Sequence, residues 1–108
     1  MSHIYREKRE TRGGNNTQDS VFCLSLAEAD RYFKNDGERK CMPTGHACNQ
    51  GAWVDNGNGC CYWWLRSPGN IRSRVSSVDA GGALDPLGND VYSDNKAVRP
   101  ALRLIWNL

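Results

Sequence analysis

At 108 residues with 39% apolar content, the chain has room for one modest core and no more than one domain. Eleven glycines among many Asn, Asp and Ser point to a loop-rich fold. No apolar run approaches the roughly 20 residues of a membrane helix, and the charged first residues are not a secretion signal, so direct membrane insertion is not expected.

The net charge of +2 comes from Arg6, Lys8, Arg9 and Arg12 against Glu7 and Glu10. From Gly13 onward ten basic residues stand against ten acidic ones, which leaves no basic face for nucleic acid. Residues 1–19 show no sustained periodicity, and Gly13-Gly14-Asn15-Asn16 signals a loop, so this stretch reads as a flexible basic flank. Ser20 to Leu24 reads as a short strand. Ser25-Leu26-Ala27-Glu28 is a capping box, opening a helix over 26–35 that Asp36-Gly37 would stop.

Glu38 to Ala52 is irregular, apart from a single helical turn capped at Pro43-Thr44 and running through Cys48. Trp53-Val54 reads as a short strand, and Asp55-Asn56-Gly57-Asn58-Gly59 is a strong turn leading into the next strand. Tyr62-Trp63-Trp64-Leu65 then forms the anchor strand. Trp63 and Leu65 point to one face and Trp64 and Arg66 to the other, where the guanidinium can stack on an indole. Ser67-Pro68-Gly69 ends the strand in a turn.

From Asn70 to Lys96 the pattern is short strands punctuated by turns. Arg74 to Val78 alternates, and turns fall at 79–82, 85–88 and 93–95. With few apolar anchors, this stretch should lie on the surface, pinned by Val75, Val78, Leu84 and Val91. The last strand, Ala97 to Trp106, places Val98, Pro100, Leu102 and Leu104 on one face. Pro100 implies an edge strand or a bulge. The expected core is Phe22, Leu24, Phe33, Trp63, Leu65, Val78 and Leu102.

Candidates for chemistry are few. Cys41, His46, Cys48 and Cys60 are zinc-ligand types, but without C-x₂-C spacing half-buried thiols fit them better. The five cysteines form an odd set, so at least one thiol is free or intermolecular. Cys48 and His46 stand two apart, a poor spacing for a nucleophile and its base. Asp85, Asn89, Asp90 and Asp94 could supply calcium oxygens. Asp79, Asp85, Asp90 and Asp94 each sit beside residues where aspartate commonly serves a turn. No cofactor is expected. The remaining reading is recognition: a polar segment of Asn, Ser, Asp, Arg and Tyr on an apolar anchor has the chemistry of adaptable binding surfaces.

Trp63-Trp64-Leu65-Arg66-Ser67-Pro68-Gly69 followed by Val98-Arg99-Pro100-Ala101-Leu102 resembles uncharacterised bacterial domains common in gut Firmicutes. Thr17-Gln18-Asp19-Ser20-Val21-Phe22, Leu24-Ser25, Glu28-Ala29, Tyr32-Phe33 and Gln50-Gly51-Ala52 fit the same pattern, over about residues 11–106. Some members are similar to the variable proteins of diversity-generating retroelements. The resemblance implies an α+β, irregular C-type-lectin-like fold, akin to that of formylglycine-generating enzymes, with residues 20–108 as the C-terminal part of one domain. The domain would lack its N-terminal strand and helices, leaving the last strand with an unpaired edge. It implies a scaffold of Trp63, Trp64, Leu65, Arg66, Pro68, Gly69, Val98, Arg99, Pro100 and Leu102. Asn70, Arg72, Arg74, Ser77, Asp79, Asp85, Tyr92, Asp94 and Asn95 would be displayed to a protein or glycan ligand.

The expected function is noncatalytic ligand binding within a longer bacterial or phage chain, at the cell surface or secreted. Rival readings are a copper-dependent oxidase of the formylglycine-generating type using Cys60 and Cys61, and a structural module of a larger surface protein.

Overall fold

The computed structural model describes residues 5–10 and 17–103, with side chains over 21–102. Its elements are β1 (Tyr5–Glu10), β2 (Thr17–Cys23), α1 (Leu26–Tyr32), α2 (Asp36–Arg39), α3 (Gly45–Asn49), β3 (Trp63–Pro68), β4 (Arg74–Val78), β5 (Leu84–Asp90) and β6 (Pro100–Arg103). The result is a mixed α+β, loop-rich fold of short helices and two small sheets.

In the first sheet each strand pairs with the other two over different stretches. β1 runs antiparallel to the first half of β2, with Glu7 opposite Ser20 and Glu10 opposite Thr17. The second half of β2 runs antiparallel to β6, with Val21 opposite Leu102. β6 also lies parallel to β1, with Tyr5 opposite Ala101. Two expectations are corrected here. Tyr5–Glu10 is a strand rather than part of a flexible flank, and β6 is paired on both sides rather than left with an open edge. Pro100 is compatible with that central place because it is the first residue of its strand. The Gly13–Asn16 loop and the expected strand beyond Arg103 lie outside the described residues.

The second sheet has the order β3-β4-β5, all antiparallel. Trp63 and Leu65 of β3 are fully buried, and Leu24, Ala29, Cys41, Cys61, Val78, Ala97 and Ala101 complete the core, with Phe22 and Phe33 packed against it. Leu102 is buried as well. The indole N–H of Trp63 donates to the Arg39 carbonyl at 3.0 Å, so its burial leaves no unpaired donor.

Local chemistry fixes the helices. Ser25 and Glu28 form the reciprocal capping box of α1, at 3.1 and 2.8 Å. Thr44 caps α3 through the Ala47 amide at 3.1 Å. Asp36-Gly37 does not end one helix but begins another: α1 stops at Tyr32, and Asn35 caps α2 through the Glu38 amide at 3.0 Å. A short polar residue before two acidic positions is itself an N-terminal signal.

The segment expected to turn at 85–88 instead lies within β5. Val75 faces Asn89 and Ser77 faces Asp85, so two steps along β4 span four along β5. Turn-forming residues are thus absorbed as a bulge, with Pro86 and Leu87 outward and Gly88 at φ 87°. β4 is also deeper than its composition suggested. Ser76 and Ser77 are fully buried, because Ser76 donates to the Ser67 carbonyl at 2.8 Å and Ser77 to Asn89 Oδ1 at 2.6 Å.

Candidate functional site

Between β3 and β6 the chain fastens its turns with its own backbone and aspartates. The Gly69 amide donates to the Arg74 carbonyl and the Asn70 amide to the Leu87 carbonyl, both at 2.8 Å. Asp79 Oδ1 accepts from the Gly81 and Ala83 amides, each at 2.9 Å. Asp85 Oδ1 accepts from the Gly88 amide at 3.1 Å, and Asp90 Oδ1 from the Tyr92 amide at 2.9 Å. Asp79 and Asp90 each close a turn in the manner usual for aspartate, and Asp85 braces the bulge of β5. Among the described residues, no group of three or more His, Cys, Asp or Glu side chains is placed to hold a metal ion.

These bonds sort the residues expected to be displayed. Asn70, Arg72, Arg74, Tyr92, Asp94 and Asn95 are exposed, Tyr92 to 87%. Asp79 and Asp85 are half-buried, with their carboxylates turned toward the amides they hold. Ser77 is not displayed: it is fully buried in β4, and its hydroxyl orients Asn89.

The expected scaffold also divides. Trp63, Leu65 and Leu102 are core, Trp64 is half-buried, and Pro68 and Val98 are exposed. Arg66 does not stack on Trp64. Its guanidinium pairs with Glu28, donates to the Cys23 carbonyl at 3.0 Å and lies 5.8 Å from the Phe22 ring centroid. Arg99 sits 4.9 Å from the ring centroids of both Phe33 and Trp63, a cation held between aromatic rings. Burial acts to raise the Glu28 carboxyl, but bonds from the Ser25 amide, Arg66 and the Ser25 hydroxyl outweigh it and hold the group below the ordinary carboxylate range.

Sequence reasoning missed a groove at the end of the polar segment. Trp53, Tyr62, Asn89, Asn95 and Lys96 line a cavity of about 280 Å³. Trp53 is 45% exposed and meets Tyr62 edge-on, with ring centroids 5.7 Å apart. The Lys96 ammonium lies 5.3 Å from the Tyr62 ring and 5.5 Å from the Trp64 ring, so it is the cation that covers this indole. A signal for half of this was in the sequence. The Asp55–Gly59 turn folds Val54 onto Cys61, which brings Trp53 beside Tyr62.

The thiols lie elsewhere. Cys41, Cys60 and Cys61 are buried, whereas Cys48 is exposed on α3, as is His46. The Cys61 amide donates to the Cys41 carbonyl at 2.9 Å, and its Sγ lies 3.3 Å from the same oxygen. Hydrogen bonding to the Cys41 side chain, reinforced by burial, pushes the Cys61 thiol far above its ordinary range. Burial also raises the Cys23 thiol, against the opposing charge of Arg66.

A family model described as a domain of unknown function (DUF6273) matches residues 1–106. The chain belongs to the DUF6273 family. No curated protein and no solved structure matches it. The match extends through β1, so the strand pairing with β6 lies within the DUF6273 domain. Among the described residues, no helix of the DUF6273 domain is long and apolar enough to cross a membrane.

Proposed function

We propose that this DUF6273 domain is a noncatalytic recognition module of the C-type-lectin-like kind, displaying the 70–95 segment to a ligand from a larger surface or secreted chain. The observation that carries the reading is the division of labour in that segment. Backbone groups, Asp79 and Asp90 close the turns and Asp85 braces the β5 bulge, while Asn70, Arg72, Arg74, Tyr92, Asp94 and Asn95 make no described contribution to the core. Rigid turns with free polar and aromatic tips are suited to contact with another molecule.

Selection against a glycan array and a displayed random-peptide library tests the reading. Binders should emerge whose affinity falls about tenfold in Arg72→Ala or Tyr92→Ala, with unchanged melting. Absence of binders from both selections, or binders indifferent to every exposed 70–95 position, overturns it.

The oxidase reading needs a reactive thiolate at Cys60 or Cys61. Both thiols are buried, and Cys61 Sγ lies 3.3 Å from the Cys41 carbonyl, an arrangement suited to packing.

A further inference from the structure

We infer that the groove lined by Trp53, Tyr62, Asn89, Asn95 and Lys96 is a binding site for an acidic saccharide. This deepens the recognition reading and rests on it.

The groove presents donors and aromatic surface. Ser77 occupies Asn89 Oδ1 at 2.6 Å, which leaves the Nδ2 group of that amide to donate. Lys96 Nζ occupies Asn95 Oδ1 at 3.3 Å, so the second amide is also left with its donor. Lys96 spends one of its three donors on that contact and forms no ion pair among the described residues. Among the described residues, no carboxylate lines the cavity. Two amide donors and an unpaired ammonium call for an acceptor-rich, negatively charged ligand.

The walls select the kind of ligand. Trp53 and Tyr62 meet at 63°, forming an aromatic corner whose indole is 45% exposed. A pyranose ring carries a flat array of C–H groups that stacks on such a surface while its hydroxyls accept from the amides. A peptide added as a strand would need free backbone groups, and three backbone hydrogen bonds beside the groove already engage theirs. The Trp53 amide donates to the Asn95 carbonyl at 2.8 Å, the Ala97 amide to the Tyr62 carbonyl at 2.9 Å, and the Trp64 amide to the Ala97 carbonyl at 3.0 Å. The side-chain amides and the aromatic corner supply the recognition, and a carboxylate on the sugar is the group that meets Lys96.

The test is a glycan array carrying uronate-terminated, sialate-terminated and neutral glycans, followed by calorimetric titration of the best acidic glycan and its neutral counterpart. The acidic form should bind more tightly. Trp53→Ala should weaken both by about tenfold, and Lys96→Gln should weaken the acidic form far more than the neutral one, removing the preference. Asn95→Asp, an exposed side chain beside the ammonium, should also abolish the preference and serves if Trp53→Ala melts early. No acidic hit, acidic binding unmoved by these variants, or tighter binding of a peptide through its terminal carboxylate overturns the inference. Binders lost in Arg72→Ala and Tyr92→Ala but indifferent to the groove would sink this assignment and leave the display reading standing.

Discussion

At the scale of single residues, the most consequential side chain is one that sequence patterning does not mark. Arg39 is buried to 6% exposure and ties its helix to two other stretches of chain: Nε donates to the Gly82 carbonyl at 2.8 Å, Nη1 to the Phe33 carbonyl at 3.4 Å, and Nη2 pairs with Asp36 of the same helix. Gly82 must be glycine for this contact. Its φ is 86°, and a Cβ there would stand 1.8 Å from the Asp36 carbonyl oxygen. Arg39→Ala should lower unfolding stability by about 3 kcal/mol in urea titration, since it strands buried carbonyls and opens a void. Arg39→Lys should recover only part of that loss, because an ammonium lacks the planar fork. An arginine in a charged stretch reads as solvated, and nothing local says otherwise. Its burial depends on a glycine 43 residues away. Trp63, Leu65 and Val78, by contrast, were legible, because apolar bulk at strand spacing has few other places to go.

Among elements, α1 was the most readable, since both halves of its capping box are local. The tertiary use of Glu28 was not. The carboxylate that closes the box also receives Arg66 from β3, tying helix to sheet. Its lowered proton affinity gives a signed expectation. A carboxyl held below its unfolded value of about 4.3 contributes stability that is present above that pH and lost as pH falls through the folded value. Glu28→Gln keeps an acceptor for the Ser25 amide but loses the charge. It should cost about 0.5 kcal/mol at neutral pH, a small figure because the Arg66 side chain is half exposed. Melting curves of the two proteins should converge at acid pH, and a constant offset down to about pH 2.5, below the model-peptide carboxyl range, would refute the assignment. β5 was misread for a related reason. Asp85-Pro86-Leu87-Gly88 has turn chemistry, yet pairing with β4 at both ends forces it into a bulge, which local sequence cannot report.

The whole molecule is closed by its ends. β1 and β2 bracket β6, so chain segments some ninety residues apart share a sheet. Removing residues 1–12 should strip the parallel neighbour from β6 and bare its backbone groups, giving a less stable protein that associates with itself. Sedimentation or size exclusion of the truncated chain reads this directly, and an unchanged monomer of equal stability would contradict it. This closure was illegible in the sequence because Tyr5–Glu10 is a run of mixed charges after one tyrosine, with no apolar and polar alternation. The α+β class was legible, since strand-like runs, a capped helix and frequent turns leave few other classes. The groove was half legible, as its aromatic wall follows from one tight turn, whereas Asn89, Asn95 and Lys96 arrive through the bulged strand and the turn beyond it.

The aspartates that brace this segment have a consequence for engineering. Asp79, Asp85 and Asp90 fasten the frame from within, so the six outward positions owe almost nothing to folding. A chain substituted at several of them at once should therefore melt close to the parent temperature.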